Sequence, residues 1–141
     1  MFTRAGIEAT AAPDMAAVLW SKLIINAAIG PLSALSGLAN GQLVKHAAWR
    51  PLLRQAAEEG AAVAARKSIR LLYDDPVQAV EEVCRNTAEN FSSMLQDVRR
   101  GRRTEIDAIN GAIVREAEAL GMPAPVHADL VRRVRERGDN A

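Results

Sequence analysis

The sequence predicts an all-α fold: a single domain of five or six helices. Three observations carry this reading. At 141 residues the chain has the length of one domain, and a domain of that size buries roughly 70% of its unfolded surface without needing disulfides. Apolar residues recur at three- and four-residue spacings, while no segment alternates with period two over a useful length. No GxGxxG turn follows a strand, and no βαβ unit of the dinucleotide-binding kind can be drawn.

The helical domain is expected over residues 13–138, with 139–141 as a frayed tail. The first helix begins at Pro13-Asp14, where Asp14 can cap it, and runs through MAAVLWSKLIINAAI. Gly30-Pro31 should end or kink it. A short apolar piece, LSALSGL, and a turn at Ala39-Asn40-Gly41 follow. A second long helix starts near Trp49 to Pro51 and reaches about Lys67, with Ala56, Ala57, Gly60, Val63 and Ala64 as a small-residue packing face. A third takes Asp75 as its cap and Pro76 in its first turn, and continues through VQAVEEVCRNTAEN. A fourth begins at Thr104, where Thr104 and Asp107 have capping-box-like spacing. Ile106, Ile109, Ile113, Ala117 and Leu120 form its apolar face, and Gly121 and Pro123 stop it. The last helix runs from about Pro125 to Arg137.

Composition narrows the function classes. Hydrophobic residues make up 49% and charged residues 25%, an ordinary globular balance. The single cysteine, Cys84, cannot form an internal disulfide; beside Val80 and Val83 it reads as a buried thiol suited to a reducing cytoplasm. No uncharged apolar stretch of membrane-spanning length occurs, so no membrane span is expected, and the start does not read as a signal peptide. Net charge is +1. The arginine clusters at Arg99, Arg100, Arg102, Arg103 and at Arg132, Arg133, Arg135, Arg137 read as solvated helix ends or faces, since no aromatic platform or docking motif accompanies them; nucleic acid is not an expected partner. His46 and His127 lack metal-ligand spacing with Cys84 or acidic residues, so they read as surface or packing residues and no metal site is expected. HExxH, paired CxxC, phosphate-loop and GxSxG motifs do not occur.

A few polar residues sit in unusual places. On a helical wheel Lys22 falls between Val18, Ile25 and Ile29 on one side and Met15 and Leu19 on the other. Desolvation there would lower its pKa and make it a useful acid near neutrality; alternatively it snorkels to the surface at the edge of the stripe. Asn26, at i+4, shares its direction. In the stretch NFSSMLQDVRRGRRTEIDAINGAI, Ser92 reads as a helix cap, and Ser93 and Glu105 are either ligand-facing or the usual polar residues of helix starts.

LWSKLIINAAIGPLSAL, LANGQL, NFSSMLQDVRRGRRTEIDAINGAIV and ALGMPAPVHADLV together resemble the C-terminal domain of the ketopantoate reductase (2-dehydropantoate 2-reductase) family, whose helical domain is like that of 6-phosphogluconate-type dehydrogenases. FTRAGIEATAAPDM looks like the family's junction between domains, which makes 1–12 a junction remnant. The resemblance implies NADPH-dependent reduction of 2-dehydropantoate, or a similar 2-oxo acid, to pantoate in pantothenate and coenzyme A biosynthesis. It implies that NADPH sits mainly on an N-terminal domain outside this chain, supplied in cis or trans. The family's W.K...N pattern places the catalytic lysine at Lys22 and its partner at Asn26; NG.L places a substrate-binding asparagine at Asn40. SSMLQD places the carboxylate-binding serine at Ser93, and TEID places Glu105 on a substrate hydroxyl or beside the lysine. Lys22, Ser93 and Glu105 are then expected to share one pocket. Two departures stand out: Gly30 replaces a frequent asparagine, and ARKSIR lacks the glycine that often ends the second long helix. Glu59 falls near a family glutamate that reaches toward substrate, in a register the sequence does not fix. The isolated chain is expected to be inactive, and a homodimer is possible. The alternative is a helical binding or dimerisation module derived from the same domain without catalysis.

Overall fold

A computed structural model describes residues 14–139, so the proposed junction at 1–12 and the last two residues of the tail lie outside the described residues. Seven helices run in order: α1 Met15–Ser36, α2 Asn40–Leu43, α3 Arg50–Arg66, α4 Pro76–Asn86, α5 Ser93–Arg99, α6 Ile106–Ala119 and α7 Pro125–Asp139. There is no strand among the described residues. The number exceeds five or six because the short α2 and α5 are separate elements. Helix α1 is the axis: each of the other six packs against it. Its length and hydropathy would suit a membrane span, and its central place in the core accounts for that composition.

Local chemistry starts the helices. The Ala16 N–H donates to Asp14 Oδ1 (3.0 Å), the Gln78 N–H to Asp75 Oδ1 (3.0 Å) and the Leu95 N–H to Ser92 Oγ (3.0 Å). Thr87 closes α4 with its hydroxyl donating to the Val83 carbonyl (2.7 Å), so the chain turns before Asn90 and restarts at Ser93. The small face of α3 packs as expected, with Ala56, Ala57, Gly60, Val63 and Ala64 all buried. A Cβ on Gly60 would lie 3.1 Å from Ile24 Cγ1, so glycine sets the α1–α3 approach.

Three expectations are corrected. First, Gly30-Pro31 does not end α1, which continues to Ser36. Pro31 has no N–H for the Ala27 carbonyl four residues earlier. Asn110 of α6 supplies the donor: its Nδ2 lies 2.9 Å from Ala27 O. The same Nδ2 lies 3.0 Å from His127 Nδ1, and His127 Nε2 lies 2.9 Å from Ala56 O. A carbonyl only accepts, so Nε2 carries the ring proton and Nδ1 accepts from Asn110. His127 is a fully buried packing residue, whereas His46 is exposed.

Second, α6 starts at Ile106, and the Thr104–Asp107 capping box does not form. Glu105 is the N-cap residue without a side-chain cap bond, and Asp107 is taken by Arg135, with Nε to Oδ1 at 2.9 Å. The other end follows the sequence: Gly121 adopts φ 68°, and the Met122 N–H donates to Ala117 O (3.0 Å).

Third, Glu59 is committed elsewhere. Its carboxylate accepts from the Val126 N–H (2.9 Å) and the His127 N–H (2.8 Å), which caps α7 from α3. The glycine missing from ARKSIR also has a structural meaning. Ser68 stands at φ 60° while the Ile69 N–H donates to Ala64 O (3.0 Å), the left-handed closure that glycine favours.

Of the two arginine clusters, the second is tied down, whereas in the first only the Arg99 side chain has a partner among the described residues. Arg137 donates to Leu35 O, Arg99 to Gly37 O and Arg66 to Leu120 O, so three arginines meet carbonyls at helix C-terminal ends. Arg132 and Arg133 both pair with Asp129.

Candidate functional site

The first turns of α1 carry an uncovered face. Met15, Leu19, Lys22 and Asn26 recur at helical spacing on one side, and all four are exposed, Met15 at 66% and Leu19 at 60%. Of the two readings of Lys22, the one in which it reaches the surface is found in this chain. The wheel places it between Ile25 and Ile29, which pack on the core, and Met15 and Leu19, which are exposed; the core side of α1 is the opposite one, with Ala17, Ser21 and Ile24. Lys22 makes no ion pair with a described residue.

A strap from α3 to α4 is fastened to Ser21, on the core side of the same stretch of α1. The Leu72 N–H donates to Ser21 Oγ (2.9 Å), and the Tyr73 hydroxyl donates to Ser21 O (2.8 Å). Burial pushes the Tyr73 phenol up to about 12, so it stays a donor. The strap leaves Leu72 61% exposed. Among the described residues four large hydrophobics are exposed, and three of them, Met15, Leu19 and Leu72, flank the Lys22 half of α1. The fourth, Phe91, lies two residues before Ser93 with the Arg99 guanidinium 4.5 Å from its ring centroid.

Farther along the same side of α1, Met94 of α5 covers Gly30; a Cβ on Gly30 would lie 3.4 Å from Met94 Cε. Ser93, the first residue of α5, is exposed beside that contact. Met94 also shares a core cluster with Ala34 of α1 and Ile106 of α6, so Ser93 and Glu105 each adjoin a member of one cluster. Glu105 is exposed and bonds to no described side chain. No hydrogen bond or ion pair joins Lys22, Ser93 and Glu105 to one another. Lys22 and Asn26 thus share one exposed side of α1, while Ser93 and Glu105 each stand next to a buried residue of the cluster that holds Ala34.

Asn40 is placed differently. It is buried at the start of α2, with Nδ2 donating to Thr87 Oγ1 (3.0 Å) and its N–H to Asn90 O (3.0 Å). Its Oδ1 has no partner. Gly41 beside it is obligatory for the close approach, because a Cβ there would lie 2.6 Å from Ala88 Cβ. The two residues clasp α2 to the turn that leads into Ser93.

Two hollows, of about 490 and 930 Å³, have no lining residue from α1. The first touches Thr104 and Ile106 on either side of Glu105, and the second lies among Lys45, Arg50 and Arg54. Near the second, Arg50 binds Glu81 through Nε (2.8 Å) and Nη2 (3.1 Å), and that bond holds the buried Glu81 carboxyl below its ordinary range. Burial, helped by Glu81, pushes the Cys84 thiol up to about 12, which makes it inert. No group of His, Cys, Asp and Glu among the described residues could hold a metal ion. The strand–turn–helix unit that seats a dinucleotide pyrophosphate has no counterpart among the described residues either.

Residues 14–138 match the family model of the ketopantoate reductase PanE/ApbA C terminal. The chain belongs to this family. It is 40% identical over 131 residues to the 2-dehydropantoate 2-reductase of Archaeoglobus fulgidus, covering 93% of this chain and 44% of that protein. The structure of a PanE/ApbA family ketopantoate reductase from Ralstonia eutropha superposes with a TM-score of 0.85 at 37% identity, covering 99% of this chain and 46% of that one. D-mandelate dehydrogenase, solved as a ternary structure with NADH and anilino(oxo)acetate, superposes with a TM-score of 0.83 at 26% identity, covering 92% of this chain and 42% of that one. The chain therefore spans less than half the length of each relative.

The sequence left Lys22 open between burial and a place at the surface, and it did not show that Met15 and Leu19 are exposed with it. Met15 and Leu19 at i−7 and i−3 from the lysine were the available signal, an apolar pair that repeats in step with the polar residues rather than with the core.

Proposed function

We propose that this chain supplies the substrate-binding and proton-donating half of a reductase that converts 2-dehydropantoate, or a similar 2-oxo acid, to pantoate on the route to pantothenate and coenzyme A. The observation that supports this reading is the open face of α1. An amine and an amide, Lys22 and Asn26, stand on the same exposed side of α1 as Met15 and Leu19. A nucleotide-binding domain, in cis or in trans, would cover that apolar surface and take the amine out of water at the same time. NADPH would reside on that domain and supply the hydride. The ligand of the D-mandelate dehydrogenase relative is itself a 2-oxo acid analogue, which suits the same substrate class.

Each polar group then has a task set by the chemistry of a 2-oxo acid. As the carbonyl carbon is reduced, charge builds on its oxygen, and the Lys22 ammonium donates a proton there. The Asn26 amide donates to the same oxygen or orients the lysine. The Ser93 hydroxyl donates to the substrate carboxylate. Glu105 accepts from a substrate hydroxyl or steadies the lysine, and Asn40 lends its unpartnered Oδ1 to the substrate. The enzyme works in the cytoplasm, and a homodimer through this helical half fits the reading.

The test pairs this chain with the nucleotide-binding half of a relative and follows NADPH oxidation by 2-dehydropantoate. The pair turns over and the chain alone does not; Lys22→Met lowers kcat by about 10²–10⁴-fold. Full activity of the Lys22→Met pair, or reduction by the chain alone, sinks the proposal. The second reading, a helical binding or dimerisation module without catalysis, draws on the same exposed Met15 and Leu19; it requires that the pair assembles and stays inactive.

A further inference from the structure

We infer that Asn110 is a positioning residue that keeps the two halves of the candidate site in register across Pro31; this rests on Lys22, Asn26, Ser93 and Glu105 forming that site. The geometry divides them. Lys22 and Asn26 lie on α1 before the carbonyl that Pro31 leaves without a backbone donor. Ser93 and Glu105 are anchored after it, through Met94 on Gly30 and through Ile106 in the cluster that holds Ala34. A bend at the Ala27 carbonyl, where Pro31 removes the backbone bond, would move the amine relative to the hydroxyl and the carboxylate. Proline commonly bends a helix by removing this bond and crowding this carbonyl.

Asn110 replaces the lost bond from outside the helix, 83 residues along the chain, with its Nδ2 2.9 Å from Ala27 O. Its orientation is not free. Ala27 O can only accept, and His127 Nδ1 must accept because His127 Nε2 donates to Ala56 O. Both neighbours demand a donor, so Nδ2 faces them and Oδ1 is forced to the side where it has no partner. A buried acceptor left without a hydrogen bond is costly. The arrangement holds that cost because the Ala27 carbonyl and the ring leave no alternative. Around His127 the one charged group with a resolved influence is Glu59 of α3, whose carboxylate is occupied by the Val126 and His127 N–H groups. The path from α3 to α1 is therefore continuous: Ala56 O, His127, Asn110, Ala27 O.

The test uses this chain and no enzyme assay. Asn110→Ala, Pro31→Ala and the double variant are melted, and each is spin-labelled at Leu19→Cys and Arg100→Cys, both exposed sites; Cys84 is fully buried and takes no label. In the Pro31→Ala variant a backbone N–H returns to the Ala27 carbonyl, and Asn110 becomes partly redundant. Asn110→Ala is expected to lower Tm by roughly 5–10 °C and to broaden or shift the label-to-label distance. Adding Pro31→Ala restores the distance and recovers more than half of the Tm loss. If Asn110→Ala alone does not fold, folding of the double variant supports the assignment, and failure of both overturns it. Equal Tm losses in the two backgrounds, or a distance that Asn110→Ala leaves unchanged, also overturn it. Neither readout depends on catalysis, so a failure here leaves the reductase reading standing, and an active Lys22→Met pair would remove that reading without touching the Asn110–Pro31 coupling.

Discussion

From Met15 to Asn26, α1 buries one side and leaves Met15, Leu19, Lys22 and Asn26 uncovered; from Ala27 to Ala34 every residue is buried. One helix thus serves two ends. The enclosed half is gripped by α3, α5, α6 and α7 and sets the position of everything attached to it. The open half has few obligations within this chain, so its side chains are available to something outside. The contrast teaches that a candidate site can be recognised by where a core helix stops being enclosed, even when no hollow surrounds the groups in question.

The contrast makes predictions that can be ranked by size. Leu32→Ala, in the enclosed half with no exposed surface, should cost about 2–5 kcal/mol in a urea melt. A loss below about 1 kcal/mol would mean that this half is not the tightly packed one.

Acid should weaken the same half through His127. Burial is the main cause that holds its pKa below the ordinary value, against smaller upward pulls from its Ala56 bond and Glu59. The unfolded chain takes up the proton first, so stability present above about pH 6.5 falls as the pH drops from there toward the depressed folded value. The slope is at most about 1.4 kcal/mol per pH unit. Urea melts between pH 7.5 and 5.5 should show it in the parent chain and lack it in His127→Gln, and equal slopes in the two proteins would remove the assignment.

A smaller, opposite change is expected at Ser68, where the strap toward the open half begins. Its φ of 60° is strained for an L-residue, so Ser68→Gly should raise stability by about 0.5–1 kcal/mol. Destabilisation by that change would show that the serine side chain contributes more than its backbone costs. Smallest of all, Leu19→Ser on the open half should shift stability by no more than about 0.5 kcal/mol in this chain. A drop of several kcal/mol there would abolish the distinction between the halves.

What could be read from the sequence follows the range of the interactions. Asp14, Asp75 and Ser92 cap helices through bonds that reach two or three residues, and their residue types announce it. The small face of α3 and the glycine stop after α6 are equally local. The survival of α1 through Pro31 was not legible, because the donor that rescues it comes from Asn110 in another helix. Asp107 promised a local cap and found Arg135 instead. For the site, a wheel showed that Lys22 had apolar neighbours, but it could not show that two of them, Met15 and Leu19, are exposed. Ser93 and Glu105 stood out only through the motifs that surround them, since a hydroxyl and a carboxylate at helix starts are common in any helical protein.

The carboxylate that starts α7 has a consequence for the order of assembly. Glu59 leaves the ribosome 67 residues ahead of the Val126 amide it will hold. A nascent chain therefore carries this anion on an early segment while the 15 residues of α7 are still to be made. Those residues gain their stabilised first turn only by docking on α3, so coil-to-helix conversion at the end of the chain is a late, long-range event.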